Sequence, residues 1–137
     1  EDIFVPITLG GGIRSLKDIE NALNSGADKV AINSMALENP DFLKEAVSSF
    51  GESTILVNIE AKKISEGKWE PYKFCGREKT NLDVNNWINE IQSKGCGEIL
   101  LTSIDKEGTE TGFDIELIES VEKIIKMMVS VIIILDN

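Results

Sequence analysis

The chain has 137 residues, of which 42% are hydrophobic and 28% charged, and a formal net charge of −10. That composition is globular, and its acidity argues against nucleic-acid binding, which needs clustered Lys and Arg. Histidine is absent, which removes Ser-His-Asp triads and histidine-ligated metals together.

No apolar run is long enough to cross a bilayer, and the opening residues carry no signal-peptide pattern. The two cysteines, Cys75 and Cys96, lack C-x-x-C spacing, so no disulfide framework is expected and a cytoplasmic location is. Cys96, set between glycines in "KGCGEILL", reads as a small buried apolar residue and not as a reactive thiol.

Strand and helix patterns alternate from end to end. "DIFVPITLGGG" (2–12) reads as a β-branched strand ending in three consecutive glycines. Ser15, with Asp18 three residues on, opens a helix whose apolar stripe is Leu16, Ile19, Ala22 and Leu23, and Gly26 stops it. "DKVAINS" is a short strand. Asn39-Pro40 starts a helix that buries Phe42, Leu43, Ala46, Val47 and Phe50 and ends at Gly51. "STILVNIEAK" is a third strand. Residues 62–80, with Trp69, Tyr72 and Phe74 around Glu66-Gly67, read as a β-hairpin excursion. Val84, Trp87, Ile88 and Ile91 mark a helix ended by Gly95, "GEILLTSID" a strand, "IELIESVEKIIKM" a helix, and "VSVIIIL" a final strand.

Uniformly apolar strands separated by amphipathic helices belong to a parallel sheet covered by helices. "SGADKVAIN" and "KGCGEILLT" repeat one grammar of helix, glycine stop, charged residue, strand and polar end. That repetition favours a (β/α) barrel over an open doubly wound sheet, in one domain spanning 1–137. Active sites of such barrels lie at the C-terminal ends of the strands. Here those ends are Gly10–Gly12, Asn33 and Ser34, Glu60 and Lys62, and Thr102, Ser103 and Asp105. Each has a plain structural reading as turn former, cap or first solvated residue; their convergence on one rim is the argument for function.

"LGGGIRSLKDIENALNSGADKVAINS", "STILVNIEAKK" and "GEILLTSIDKEGTETGFDIELI" resemble, in the same order, the cyclase subunits of imidazole glycerol phosphate synthases. The excursion "KWEPYKFCGREKT" is similar to the hairpin that family carries after its fifth strand. The sister isomerase of the pathway usually has glycine where this chain has Asn33. The resemblance implies a (β/α)8 TIM barrel and a lyase of histidine biosynthesis. Such an enzyme closes an imidazole ring with ammonia, starting from a phosphorylated ribulosyl aminoimidazole carboxamide intermediate. The ammonia would come from a partner glutaminase at the N-terminal face, and no metal or other cofactor is implied. Carried over by position, Glu60 is the general acid/base, and Gly12, Asn33 and Ser34 hold a substrate phosphate, for which bare glycine backbone allows close approach. Thr102 and Gly108 would line the substrate path. Lys29 and Glu98 match charged positions near the ammonia entrance, although either could equally be a solvated surface charge.

Two departures bear on this reading. Glu60 stands where the family uses aspartate, and Glu107 replaces an aspartate of many relatives; the extra methylene moves a carboxylate by about one ångström. Matched to the family, the chain runs only from strand 3 into strand 7, whereas a whole barrel takes about 250 residues. The other catalytic aspartate and the second phosphate site then fall outside these residues, and "IIILDN" reads as the end of a fragment or a disrupted frame. Five strands cannot close a barrel, so the isolated chain is expected to be inactive and poorly soluble, oligomeric or an open sheet. Two rival readings stand beside the cyclase: a cyclase-like subunit of a surface-sugar amidotransferase, and a non-catalytic remnant.

Overall fold

The structure, a computed structural model, describes residues 5–104 and 114–132, the last two as backbone only. Along the chain run β1 (Thr8–Gly10), α1 (Leu16–Asn24), β2 (Lys29–Ile32), α2 (Ser34–Glu38), α3 (Asp41–Phe50) and β3 (Ile55–Ser65). They are followed by β4 (Lys68–Lys73), β5 (Glu78–Lys79), α4 (Val84–Ser93), β6 (Glu98–Ser103), α5 (Ile115–Glu122) and β7 (Met128–Ile132). None of the described helices is long and apolar enough to cross a membrane.

Five strands pair in parallel in the order β1-β2-β3-β6-β7. Strand β3 is long because it serves three partners. Val57 is in register with Ile32 of β2 and with Ile99 of β6, so β2 and β6 lie on opposite edges. Glu60 is in register with Thr102 of β6 and, antiparallel, with Tyr72 of β4. β4 therefore takes over the edge that β2 vacates when the chain turns at Asn33. The β3–β4 hairpin, extended by β5, rises directly above the C-terminal end of β2.

Alternation along each strand sends one set of side chains to the helices and the other set to the opposite face. Val30 and Ile32, Ile55, Val57, Ile59 and Ala61, and Ile99 and Leu101 are all buried against the helices. The helices contribute Ile19 and Ala22, Phe42, Leu43 and Ala46, Val84, Trp87, Ile88 and Ile91, and Leu117 and Val121. Burying each such large side chain contributes roughly 1.5–3 kcal/mol, which makes this helix-covered layer the main source of stability.

Local signals set the ends of these elements. The Ser15 hydroxyl accepts from Asp18 N–H at 3.2 Å, Asp83 accepts from Asn86 N–H at 3.1 Å, and Asp114 accepts from Leu117 N–H at 3.1 Å. Each satisfies one of the free donors of a helix start. Gly97 follows Cys96 because a Cβ there would sit 3.0 Å from the Glu52 carbonyl oxygen.

Three boundaries differ from the sequence expectation. Strand β1 covers three residues; residues 5–7 precede it outside any strand, Pro6 offers no N–H, and β2 is its only described partner. The short helix α2 intervenes before Asn39, so Asn39 closes that helix and Pro40 opens α3. Helix α5 stops at Glu122, where a turn leads into a stretch tied to α4: Gln92 accepts from Lys126 N–H and donates to the Ile124 carbonyl. At the C-terminal end the strand is Met128–Ile132, and residues 133–137 lie outside the described ones.

Among the described residues β1 and β7 each have one parallel neighbour, and Val5, Ile7, Leu9 and Met128 are exposed beside them. Open apolar edges template pairing with other chains. The 137-residue chain alone is therefore expected to sediment as self-associated species; a sharp monomer boundary with cooperative unfolding would contradict this.

Candidate functional site

The parallel register makes neighbours of the residues that follow β2, β3 and β6. Glu60 and Thr102 are in register, and the Asn33 side-chain amide donates to Glu60 Oε2 at 3.3 Å. On the face away from the helices lies a cavity of about 610 Å³, within the range of small-molecule sites. Its upper wall includes Gly10–Gly12, Arg14, Asn33, Ser34, Glu60 and the turn Phe74–Cys75. Deeper down it is bordered by Ala31, Leu56, Asn58, Leu100, Glu98 and Ser130.

The three glycines have two different jobs. A Cβ on Gly10 would come within 3.0 Å of the Ala31 Cβ, so close strand packing excludes one. Gly12 has φ +69 and open space above it, so backbone conformation, not crowding, requires glycine there. The chain then enters α1 through a small clasp in which Arg14 N–H donates to Asp18 Oδ2 at 2.9 Å. This bond, with that from the Ser15 side chain, holds the Asp18 carboxyl below its ordinary value of 3.8. A lowered carboxyl stabilises the fold above its ordinary value, and that contribution disappears as pH falls through the lowered one.

Ser34 is engaged from the far side of the site, since its Oγ accepts from Phe74 N–H at 3.0 Å. The hairpin is fixed in turn by a buried carboxylate: Glu70 Oε2 accepts from Thr80 N–H and Asn81 N–H, both at 3.1 Å. Near its Glu66-Gly67 turn, Asp114 receives Trp69 Nε1 at 3.3 Å and Ser103 Oγ at 3.1 Å, joining hairpin, β6 and α5.

Two buried side-chain oxygens facing this region, Asn33 Oδ1 and Asn58 Oδ1, have no hydrogen-bond partner among the described residues. An unsatisfied buried group costs about 1–3 kcal/mol, and such groups are usually met by water or ligand. At the lower end Lys29 and Glu98 form an ion pair, and Ser130 Oγ donates to Glu98 Oε1 at 3.2 Å. Glu98 also borders a second cavity, of about 640 Å³, with Lys29, Gln92, Cys96, Lys126 and Met128 at the N-terminal strand ends. Glu98 thus borders both the upper and the lower opening, and its partner Lys29 borders the lower one.

Of the candidate residues, Gly12, Asn33, Ser34 and Glu60 share the upper cavity. Thr102 adjoins Glu60 in register but is buried and does not itself border the cavity. Lys29 and Glu98 are partners at the opposite end. Gly108, Glu107 and Asp105 lie outside the described residues. The sequence reading passed over Arg14, Asn58, Phe74 and Cys75. Asn58 was legible in principle, because Leu56, Asn58 and Glu60 share one face of β3 by alternation.

The family model described as "Histidine biosynthesis protein" matches residues 1–132. The chain belongs to that family. Its described strands and helices are accordingly those of a partial (β/α)8 barrel. Proteins named imidazole glycerol phosphate synthase subunit HisF are similar to it in three organisms. That of Legionella pneumophila is 47% identical over 129 residues, covering 94% of this chain and 61% of the relative. The Streptococcus sanguinis (strain SK36) protein is 43% identical over 127 residues, covering 93% and 50%. The Hydrogenobaculum sp. (strain Y04AAS1) protein is 47% identical over 129 residues, covering 94% and 51%. The chain spans about half the length of the curated relatives it matches.

The two thiols differ in kind. Cys75 is exposed at the cavity wall, whereas Cys96 is buried, donates towards the Ile55 and Glu98 carbonyls, and has its pKa raised by burial. A native-state thiol titration is expected to show one fast-reacting group, the second appearing only on denaturation. Two fast groups in the folded chain would contradict the placement of Cys96.

Proposed function

We propose that this chain carries the central strands of the cyclase subunit of an imidazole glycerol phosphate synthase. In this reading the protein combines ammonia with the phosphorylated ribulosyl aminoimidazole carboxamide intermediate. It releases imidazole glycerol phosphate and the aminoimidazole carboxamide ribotide, in the cytoplasm. The observation that carries the reading is the meeting of Asn33 and Glu60 beside the Gly10–Gly12 turn. A carboxylate and a set of anion-binding donors then face one ligand-sized space, at the strand ends where barrels hold their chemistry.

Glu60 is the general acid/base. Ring closure requires a proton to leave the attacking nitrogen and another to reach the departing oxygen, and a positioned carboxylate can serve either transfer. The Asn33 amide, donating to Oε2, orients that carboxylate. In the resemblance its counterpart is an aspartate contributed from outside these 137 residues. Gly12 N–H, Asn33 and Ser34 form the phosphate cradle, and Arg14 adds positive charge from the same wall. Thr102, in register with Glu60 on the adjacent strand, and Gly108 line the substrate path further round the rim. A glutaminase subunit docks at the N-terminal face, where Lys29 pairs with Glu98, which borders both cavities, on the route of ammonia.

Glu60, in place of aspartate, favours one second reading: the same ammonia-using cyclase chemistry in surface-sugar amidation. Growth of a histidine-requiring cyclase mutant on the full-length gene separates the two. For either reading, Glu60→Gln in the full-length protein is expected to lower ammonia-dependent kcat by about 10²–10⁴-fold with its fold intact. Asn33→Ala is expected to raise KM for the phosphorylated substrate more than it lowers kcat. Unchanged turnover in the Glu60 variant would end the assignment.

A further inference from the structure

Phe74, Cys75 and Gly76, at the outer turn of the hairpin, occupy the left-handed backbone region in succession, at φ +52, +57 and +75. Glycine adopts this conformation freely, whereas a side chain with a Cβ is disfavoured there. Phe74 and Cys75 nevertheless keep their side chains, and both residues border the upper cavity beside Glu60 and Ser34. The turn is held by contacts from several directions. Phe74 N–H donates to Ser34 Oγ at 3.0 Å, and Arg77 N–H donates back to the Lys73 carbonyl at 3.2 Å. Lys73 Nζ lies 3.5 Å from Glu78 and 4.0 Å from Glu38, and 5.5 Å from the centre of the Phe74 ring. An over-determined, strained turn on a cavity wall points to contact with a ligand.

The bond to Ser34 has a directional consequence. A hydroxyl has one proton to give and two sites to accept; once Phe74 N–H occupies an acceptor site, the proton is left to donate elsewhere. The Ser34 hydroxyl thereby keeps its proton available for a second partner.

We propose that Phe74 is a specificity-determining residue of this site. Its main-chain N–H orients the Ser34 hydroxyl towards an anionic group, and its ring is the wall against which the non-phosphate body of a phosphorylated ribosyl ligand packs. The identity of that ligand rests on the function proposed above; the wall does not.

The test is calorimetric titration of the full-length protein with inorganic phosphate, ribose 5-phosphate and 5-aminoimidazole-4-carboxamide ribotide. Phe74→Gly retains the N–H and accepts the left-handed backbone, so its Tm is expected to be unchanged or higher. Its affinity for the ribotide is expected to fall about tenfold, with inorganic phosphate little affected and Phe74→Tyr restoring the loss. Phe74→Asn, which also tolerates this region, should repeat the pattern. Wild-type ribotide affinity in both variants would overturn the proposal, as would a lowered Tm with equal losses for all three ligands. A wild type that binds ribose 5-phosphate as tightly as the ribotide would instead count against the proposed function. The wall would still stand if Phe74→Gly then weakened both relative to inorganic phosphate.

Discussion

Parallel pairing of β2, β3 and β6 in a single register is the constraint from which the remaining features follow. Alternation has a period of two, so fixing Val57 beside Ile32 and Ile99 commits every second residue of all three strands. One set, built of Val, Ile, Leu and Ala, disappears under the helices. The other set is Asn58 and Glu60 on β3 and Glu98 and Leu100 on β6, with Asn33 where β2 gives way to α2; it faces the cavity. A slip by one residue would bury Glu60 among the helices and expose Ile59. The apolar layer that stabilises the fold is thus the same feature that holds the polar face in position.

The hairpin adds a second level of organisation. Because β3 continues past the end of β2, its vacated edge is open to β4, and that antiparallel pairing places the hairpin above the site. The satisfied carboxylate of Glu70 and the triple junction at Asp114 make this excursion a rigid part of the barrel wall. Its outer turn can therefore act on Ser34, which lies 40 positions earlier in the chain. Rigidity at one end of the hairpin becomes hydrogen-bond direction at the other.

Local chemistry was the most legible part of the fold. The Ser15–Asp18 cap, the glycines ending α1, α3 and α4, and the apolar stripes of the helices are set by neighbours a few residues away. Rim residues Gly12, Asn33, Ser34 and Glu60 were legible because each follows an apolar run. The features passed over depend on distance in sequence or on context. Asn58 sits within an apolar run, and only pairing on both edges shows which way it faces. Phe74 reads as a packing aromatic until the bond to Ser34 is known. Helix α2 is too short for a periodic signal, and the end of α5 is set by Gln92, on another helix. Thr102 stands in register with Glu60 at a strand end, as its position after an apolar run suggested, and it is buried there.

A crystal structure of the full-length protein with bound phosphate would test the arrangement most directly. The account predicts an anion within about 3 Å of Gly12 N–H, Ser34 and the Asn33 amide, with the Glu60 carboxylate opening onto the same space. An anion held elsewhere, or Asn33 and Glu60 facing opposite sides of the sheet, would contradict it.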